Sequence, residues 1–189
     1  MHATARALVA MTLALAVTVG CGNDGAGEAA TTTTEASTTT SAPATSTVEV
    51  TTVDYAFEGL PTELEAGTTI EVRNTSAAEL HELVAIRLSD DERRSIEELL
   101  ALPPEELEAL FAAPPALVAV APPGEDAFVA LGDGTLDEPG RYAIVCFIPT
   151  GADLQAYLSV FEANPDQPPQ VDGGPPHFTA GMHAELLVS

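Results

Sequence analysis

From residue 48 to the C-terminus, apolar and polar positions alternate in short runs separated by turn residues. Strict period-two alternation over a handful of residues places every second side chain on one face, which is the pattern of a half-buried strand. Residues 48–53 read this way, and so do 68–73, where Ile70 and Val72 share a face after the Ala66-Gly67 turn. Further strands are predicted at 80–88, Leu117–Ala121, 127–131, 141–147 and 184–188. Pro123-Gly124 and Glu138-Pro139-Gly140 punctuate them. Many short strands with no helices alternating between them predict an all-β, antiparallel-rich sandwich.

Two segments break the alternation. In the first, Ser89-Asp90-Asp91-Glu92 has capping-box spacing with acids in the first turn, and is expected to start a helix. Ile96, Leu99 and Leu100 then recur at helical spacing, and Pro103-Pro104 restarts a second turn bearing Leu107, Leu110 and Phe111. In the second, Leu154, Tyr157, Leu158 and Phe161 fall at i, i+3, i+4 and i+7, the apolar stripe of a surface helix. Both are predicted as helical insertions packed on the sandwich, near residues 89–112 and 152–163. The acidic pairs Asp90-Asp91 and Glu105-Glu106 belong to solvated helix starts rather than to paired catalytic carboxylates.

The N-terminal region has a different character. Arg6 precedes an apolar run from Ala7 to Val19, too short to remain as a membrane-spanning helix. It ends in Thr18-Val19-Gly20-Cys21, which resembles a bacterial lipobox. That resemblance implies a signal peptide over 1–20 and a lipid on Cys21. The alternative is a plain secretory peptide cleaved nearby. From Gly22 to Thr47 no side chain is larger and more apolar than Ala or Pro, and such a stretch cannot bury enough surface to offset its ordering entropy. Residues 21–47 therefore read as a tether, 48–189 as the folded domain, and the expected location is the outer face of the cell membrane.

Charge narrows the partners. Six Arg, no Lys and 29 acidic residues give a net −23. Loss of Arg6 with the leader leaves five Arg against 29 acids, or −24. No basic footprint exists for nucleic acid. The acidity serves either solubility or the steering of a basic partner protein. A monomer is expected.

The soft residues are few. Beyond Cys21 the mature chain holds Cys146, Met182 and the histidines His81, His177 and His183. Cys146 lies at the end of a predicted strand. His177 and Met182, with four residues between them, precede the last one. His81 follows a strand and the loop running from Asn74 to Leu80. His183 alternates to the opposite face from Met182 and is expected at the surface.

Here the chain resembles the cupredoxins, the type 1 blue copper proteins, most closely in Pro176-His177-Phe178-Thr179-Ala180-Gly181-Met182. The resemblance covers most of 48–189 apart from the inserts. It implies a Greek-key β-sandwich with one copper held by His81, Cys146, His177 and Met182. Asn74 would brace the ligand loop, and His177 would present an imidazole edge at the surface as electron port. One departure stands out: thirty residues separate Cys146 from His177 where family members have only a few. Loop-closure entropy grows logarithmically, so the extra length costs about 1–2 kcal/mol and does not forbid the site.

The resemblance leads to an electron-transfer protein. A copper carrier or sensor and a metal-free binding module of the same fold are the alternatives. A copper enzyme is disfavoured, because multicopper oxidases and nitrite reductases need further histidine clusters. This chain has no His-x-His pair, and Val145 and Phe147 flank Cys146.

Overall fold

The computed structural model describes residues 46–164 and 168–189. The expected leader, Cys21 and nearly all of the expected tether lie outside them. The chain forms β1 (Thr47–Val53), β2 (Ala56–Glu58), β3 (Glu63–Leu64), β4 (Thr69–Asn74), β5 (His81–Arg87), α1 (Ile96–Leu100), α2 (Pro104–Leu110), β6 (Leu117–Ala121), β7 (Phe128–Leu131), β8 (Gly140–Val145), α3 (Leu154–Ala163) and β9 (His183–Val188). β1 thus begins one residue inside the stretch read as tether. Two sheets result, one of order β2-β1-β4 and one of order β3-β9-β8-β5-β6-β7. Apart from the parallel pairs β1–β4 and β3–β9, the pairing is antiparallel. β8 returns past the β6–β7 hairpin to lie beside β5, which is Greek-key wiring. The fold is the two-sheet Greek-key sandwich anticipated from the sequence, with β2 and β3 as short additions that three or fewer residues could not announce.

The core follows from the alternation. Val50 of β1, Ile70 and Val72 of β4, and Leu83, Ala85, Leu117, Ala119, Tyr142, Ile144 and Leu186 of the larger sheet fill the space between sheets. β5 is buried over almost its whole length because its second face is covered as well. On β8 the sides separate cleanly: Tyr142 and Ile144 point inward, while Ala143 and Val145 pack outward with Ile96, Leu99 and Leu88. Strands buried on both faces read as continuous apolar runs, as Leu83-Val84-Ala85-Ile86 does.

Both predicted insertions are helical, with one correction. The capping box is made by Ser95 and Glu98, the Ser95 side chain accepting from the Glu98 N–H and the Glu98 carboxylate from the Ser95 N–H. Ser89-Asp90-Asp91-Glu92 forms a turn instead, closed by Glu92 N–H donating to the Ser89 carbonyl. Two overlapping sequences fit the same spacing, and the one followed directly by the apolar Ile96 forms the helix. Among the described residues no helix is long and apolar enough to cross a membrane.

Strand polarity gathers chemistry at one end. β1 and β4 finish there, β5 starts there with His81, and β8 delivers Cys146 one residue beyond its last position. Ser46, where the chain enters the domain, lies at the other end.

A candidate metal centre

The fold brings the donor atoms of three of the four expected ligands together. His81 Nδ1 lies 3.1 Å from His177 Nδ1. Cys146 Sγ lies 3.4 Å from that same His177 nitrogen. All three donor atoms fall within 4.8 Å of one another, and all three residues are buried. Met182 is fully buried in the same side-chain cluster as Cys146. Its backbone frames the site, with Met182 N–H donating to the His177 carbonyl and Cys146 N–H donating to the Met182 carbonyl, each at 3.2 Å.

The long insert does not separate Cys146 from His177 because its base is zipped. Phe178 N–H donates to the Cys146 carbonyl and His177 N–H to the Ile148 carbonyl, both at 3.0 Å. The ladder continues with Thr150 N–H to the Pro175 carbonyl at 3.1 Å and Gly174 N–H to the Thr150 carbonyl at 2.8 Å. The strands approach so closely that a Cβ on Gly173 would sit 2.5 Å from the Pro149 Cβ. The loop that must close around the site is therefore short in space, and the extra residues project beyond a pre-paired neck.

Asn74 sits fully buried at the end of β4. Its amide donates to the carbonyls of Glu79 at 2.8 Å and Ala121 at 2.9 Å, and its Oδ1 accepts from Ser76 N–H at 2.8 Å. These bonds fix the loop leading into His81 and pin it to the end of β6. Glu82 N–H donates to Cys146 Sγ at 3.4 Å.

Burial governs the protonation of these groups. Desolvation, helped by the nearby His177, lowers His81 to about 4, with Asp54 and Glu79 pulling the other way. His177 is likewise lowered, chiefly by burial, against the opposing pull of Glu79. Both imidazoles are thus neutral at pH 7, the form that ligates a metal. Burial and then the Glu82 carboxylate push the Cys146 thiol up, so the metal-free sulfur keeps its proton. Two imidazole nitrogens and a sulfur aimed at one buried point, with no cationic side chain among them, form a set that a single soft cation would reconcile. A thiolate, two imidazoles and a nearby thioether fit one type 1 copper.

Two expectations about the histidines are corrected. His177 does not reach the surface: it is 0 % exposed. Tyr55, in the two-residue β1–β2 turn, stands edge-on to its ring at 5.1 Å between centroids. Glu79 Oε2 lies 3.3 Å from His177 Nε2, too poorly aligned for a formed hydrogen bond, while accepting a 2.8 Å bond from Gly151 N–H of the insert. The insert and the β1–β2 turn have closed over the expected port. Tyr55 is also the one non-glycine residue among those described with a positive φ, at 66°. His183, expected at the surface, is half-buried with Nδ1 shielded, because α1 packs on that part of β9.

The residues that sequence reasoning missed are Glu82, Tyr157, Glu79 and Tyr55. Glu82 carried a signal, since it is the single acid within the apolar run 80–88, directly after His81. Its two carboxylate oxygens accept from Phe147 N–H at 3.1 Å and from the Tyr157 hydroxyl at 2.8 Å. Burial raises its pKa, and those two donors oppose the rise.

No protein-family model matches the chain, and no curated protein sequence matches it. Solved structures to which the chain is similar include auracyanins. The dithionite-reduced auracyanin of Roseiflexus castenholzii is 19 % identical, covering 77 % of this chain and 98 % of its own, at a TM-score of 0.42. Auracyanin A, a blue copper protein of Chloroflexus aurantiacus, is 19 % identical over 76 % of this chain and 98 % of its own, at 0.40. Auracyanin B is 21 % identical over 76 % and 88 %, at 0.37. These likenesses are distant, and the donor atoms of this chain carry the functional reading.

Proposed function

We propose that the protein is a one-electron carrier holding a single type 1 copper through His81, Cys146, His177 and Met182. The observation that carries this reading is the convergence of two imidazole Nδ1 atoms and one sulfur within 4.8 Å in a buried pocket. Bound copper would supply a Cu(I)/Cu(II) couple, and the mixed sulfur and nitrogen donors tolerate both states. The protein's part is rigidity. Asn74 holds the approach to His81, the zipped neck holds Cys146 against His177, and Glu82 N–H orients the sulfur. Donors that cannot move when the charge changes keep reorganisation small. Full burial of both histidines disfavours a carrier that must hand over its ion, because release would require the Tyr55 and Glu79 cover to open.

The further proposal is a carrier lipidated on Cys21, on the outer face of the cell membrane, serving a basic redox partner. The lipobox resemblance and the charge of −24 without the leader support it. Voltammetry of the copper-loaded domain tests the electron-transfer reading. A reversible one-electron wave is expected. Copper bound without reversible exchange would move the protein to copper handling.

A further inference from the structure

The second insertion reaches the sulfur-bearing turn through a polar relay. Tyr157, buried on α3, donates its hydroxyl to Glu82 Oε2 at 2.8 Å. Glu82 Oε1 accepts from Phe147 N–H, the residue after Cys146, and Glu82 N–H meets Cys146 Sγ. One residue on β5 thus joins all three, its carboxylate holding the inserted helix and the turn carrying the sulfur, and its backbone N–H meeting the sulfur itself. A carboxylate amid apolar side chains is costly unless both oxygens are satisfied, and here the insert provides half of that satisfaction. An acid in this position has no role in packing the sandwich, since a leucine would fill the space without desolvation cost.

We infer that Glu82 is a positioning residue through which docking of α3 sets the geometry of the Cys146 turn. The long insert is then a working part of the centre. Tyr157 is its contact, and the Phe147 amide is the point where the helix acts on the sulfur-bearing turn. The inference rests on the copper reading only for its spectroscopic consequence, because Tyr157, Glu82 and Phe147 are not metal ligands.

Hydrogen exchange on the metal-free protein tests the relay directly. Tyr157→Phe keeps the ring and removes the hydroxyl, and the Phe147 amide should exchange about tenfold faster, as expected for a lost hydrogen bond to a charged group. The Val50 amide on the far sheet should be unaffected. Glu82→Gln should behave like wild type at Phe147, since an amide can accept from that N–H and donate to the phenol oxygen. Glu82→Leu, which removes the acceptor of the Phe147 N–H itself, should accelerate exchange there at least as much as Tyr157→Phe. In the copper-loaded protein, Tyr157→Phe should shift both the visible band and the midpoint potential. Unchanged exchange at Phe147 in Tyr157→Phe overturns the inference, and so does equal acceleration at Phe147 and Val50, which would mark Tyr157 as a general stabiliser. An unshifted band and potential likewise overturn it. If wild type takes up no copper, the copper reading fails, while the exchange measurements still decide the relay.

Discussion

The two insertions are both helical and both packed on the sandwich, yet they are attached in opposite ways. The first, carrying α1 and α2, docks by apolar burial: Ile96 and Leu99 lie against Ala143, Val145 and Leu88 on the outer face of β8. Its polar ties sit far from the metal centre, where Arg141 donates to the carbonyls of Glu92 and Arg94 while pairing with Glu185. It nears the site only through Phe111, edge-on to Phe147 at 5.8 Å. The second, carrying α3, places its polar groups at the centre: Tyr157 on Glu82, and Gly151 N–H on Glu79. Helical character shared by two insertions therefore says little about role. What separates the two is whether hydrogen bonds or only hydrocarbon reach the ligands' neighbours.

Removing the buried apolar anchor of the first insertion should give the largest effect on stability. Leu99→Ala should cost about 2–5 kcal/mol in denaturant unfolding, with the copper band unmoved. A band that shifts with Leu99→Ala would erase the distinction between the two insertions.

Acid should strike the other side of the molecule, where the buried ionisable groups gather. Folding holds His81 at about 4 against an ordinary 6.5, so the unfolded chain takes up that proton first as the pH falls. The stability this histidine contributes is complete above pH 6.5 and is lost down to about 4, amounting to at most about 3 kcal/mol in the metal-free protein. Unfolding of wild type and His81→Gln at pH 7 and pH 4.5 isolates it. Parallel losses in the two proteins would show that His81 contributes nothing to acid sensitivity.

Met182→Leu should keep copper and colour while raising the midpoint potential, since an axial thioether tunes more than it holds. Ser95→Ala, at the cap of α1, should cost about 1 kcal/mol and leave the site untouched. A changed potential in Ser95→Ala would couple the first insertion to the centre after all.

Much of the architecture was legible because alternation reports burial directly. Seven strands and both helical insertions were read from 48–189, and His81, Cys146 and His177 stood out as rare soft residues at strand ends. β2 and β3 are too short to show a period. The helix start was misplaced because Ser89 and Ser95 offer the same capping spacing. The burial of His177 was not legible at all, since it depends on Tyr55 and Glu79 arriving from loops distant in sequence. Tyr157 read as one more apolar position on a helix, and only its hydroxyl's partner reveals its use.

Titration of the metal-free domain with Cu(II), followed by visible absorption, tests the central claim most directly. One equivalent should produce an intense thiolate-to-copper band that saturates at one ion per chain and is absent in Cys146→Ala. A colourless complex, or the same band in Cys146→Ala, would contradict the copper assignment and leave a metal-free binding module as the better account.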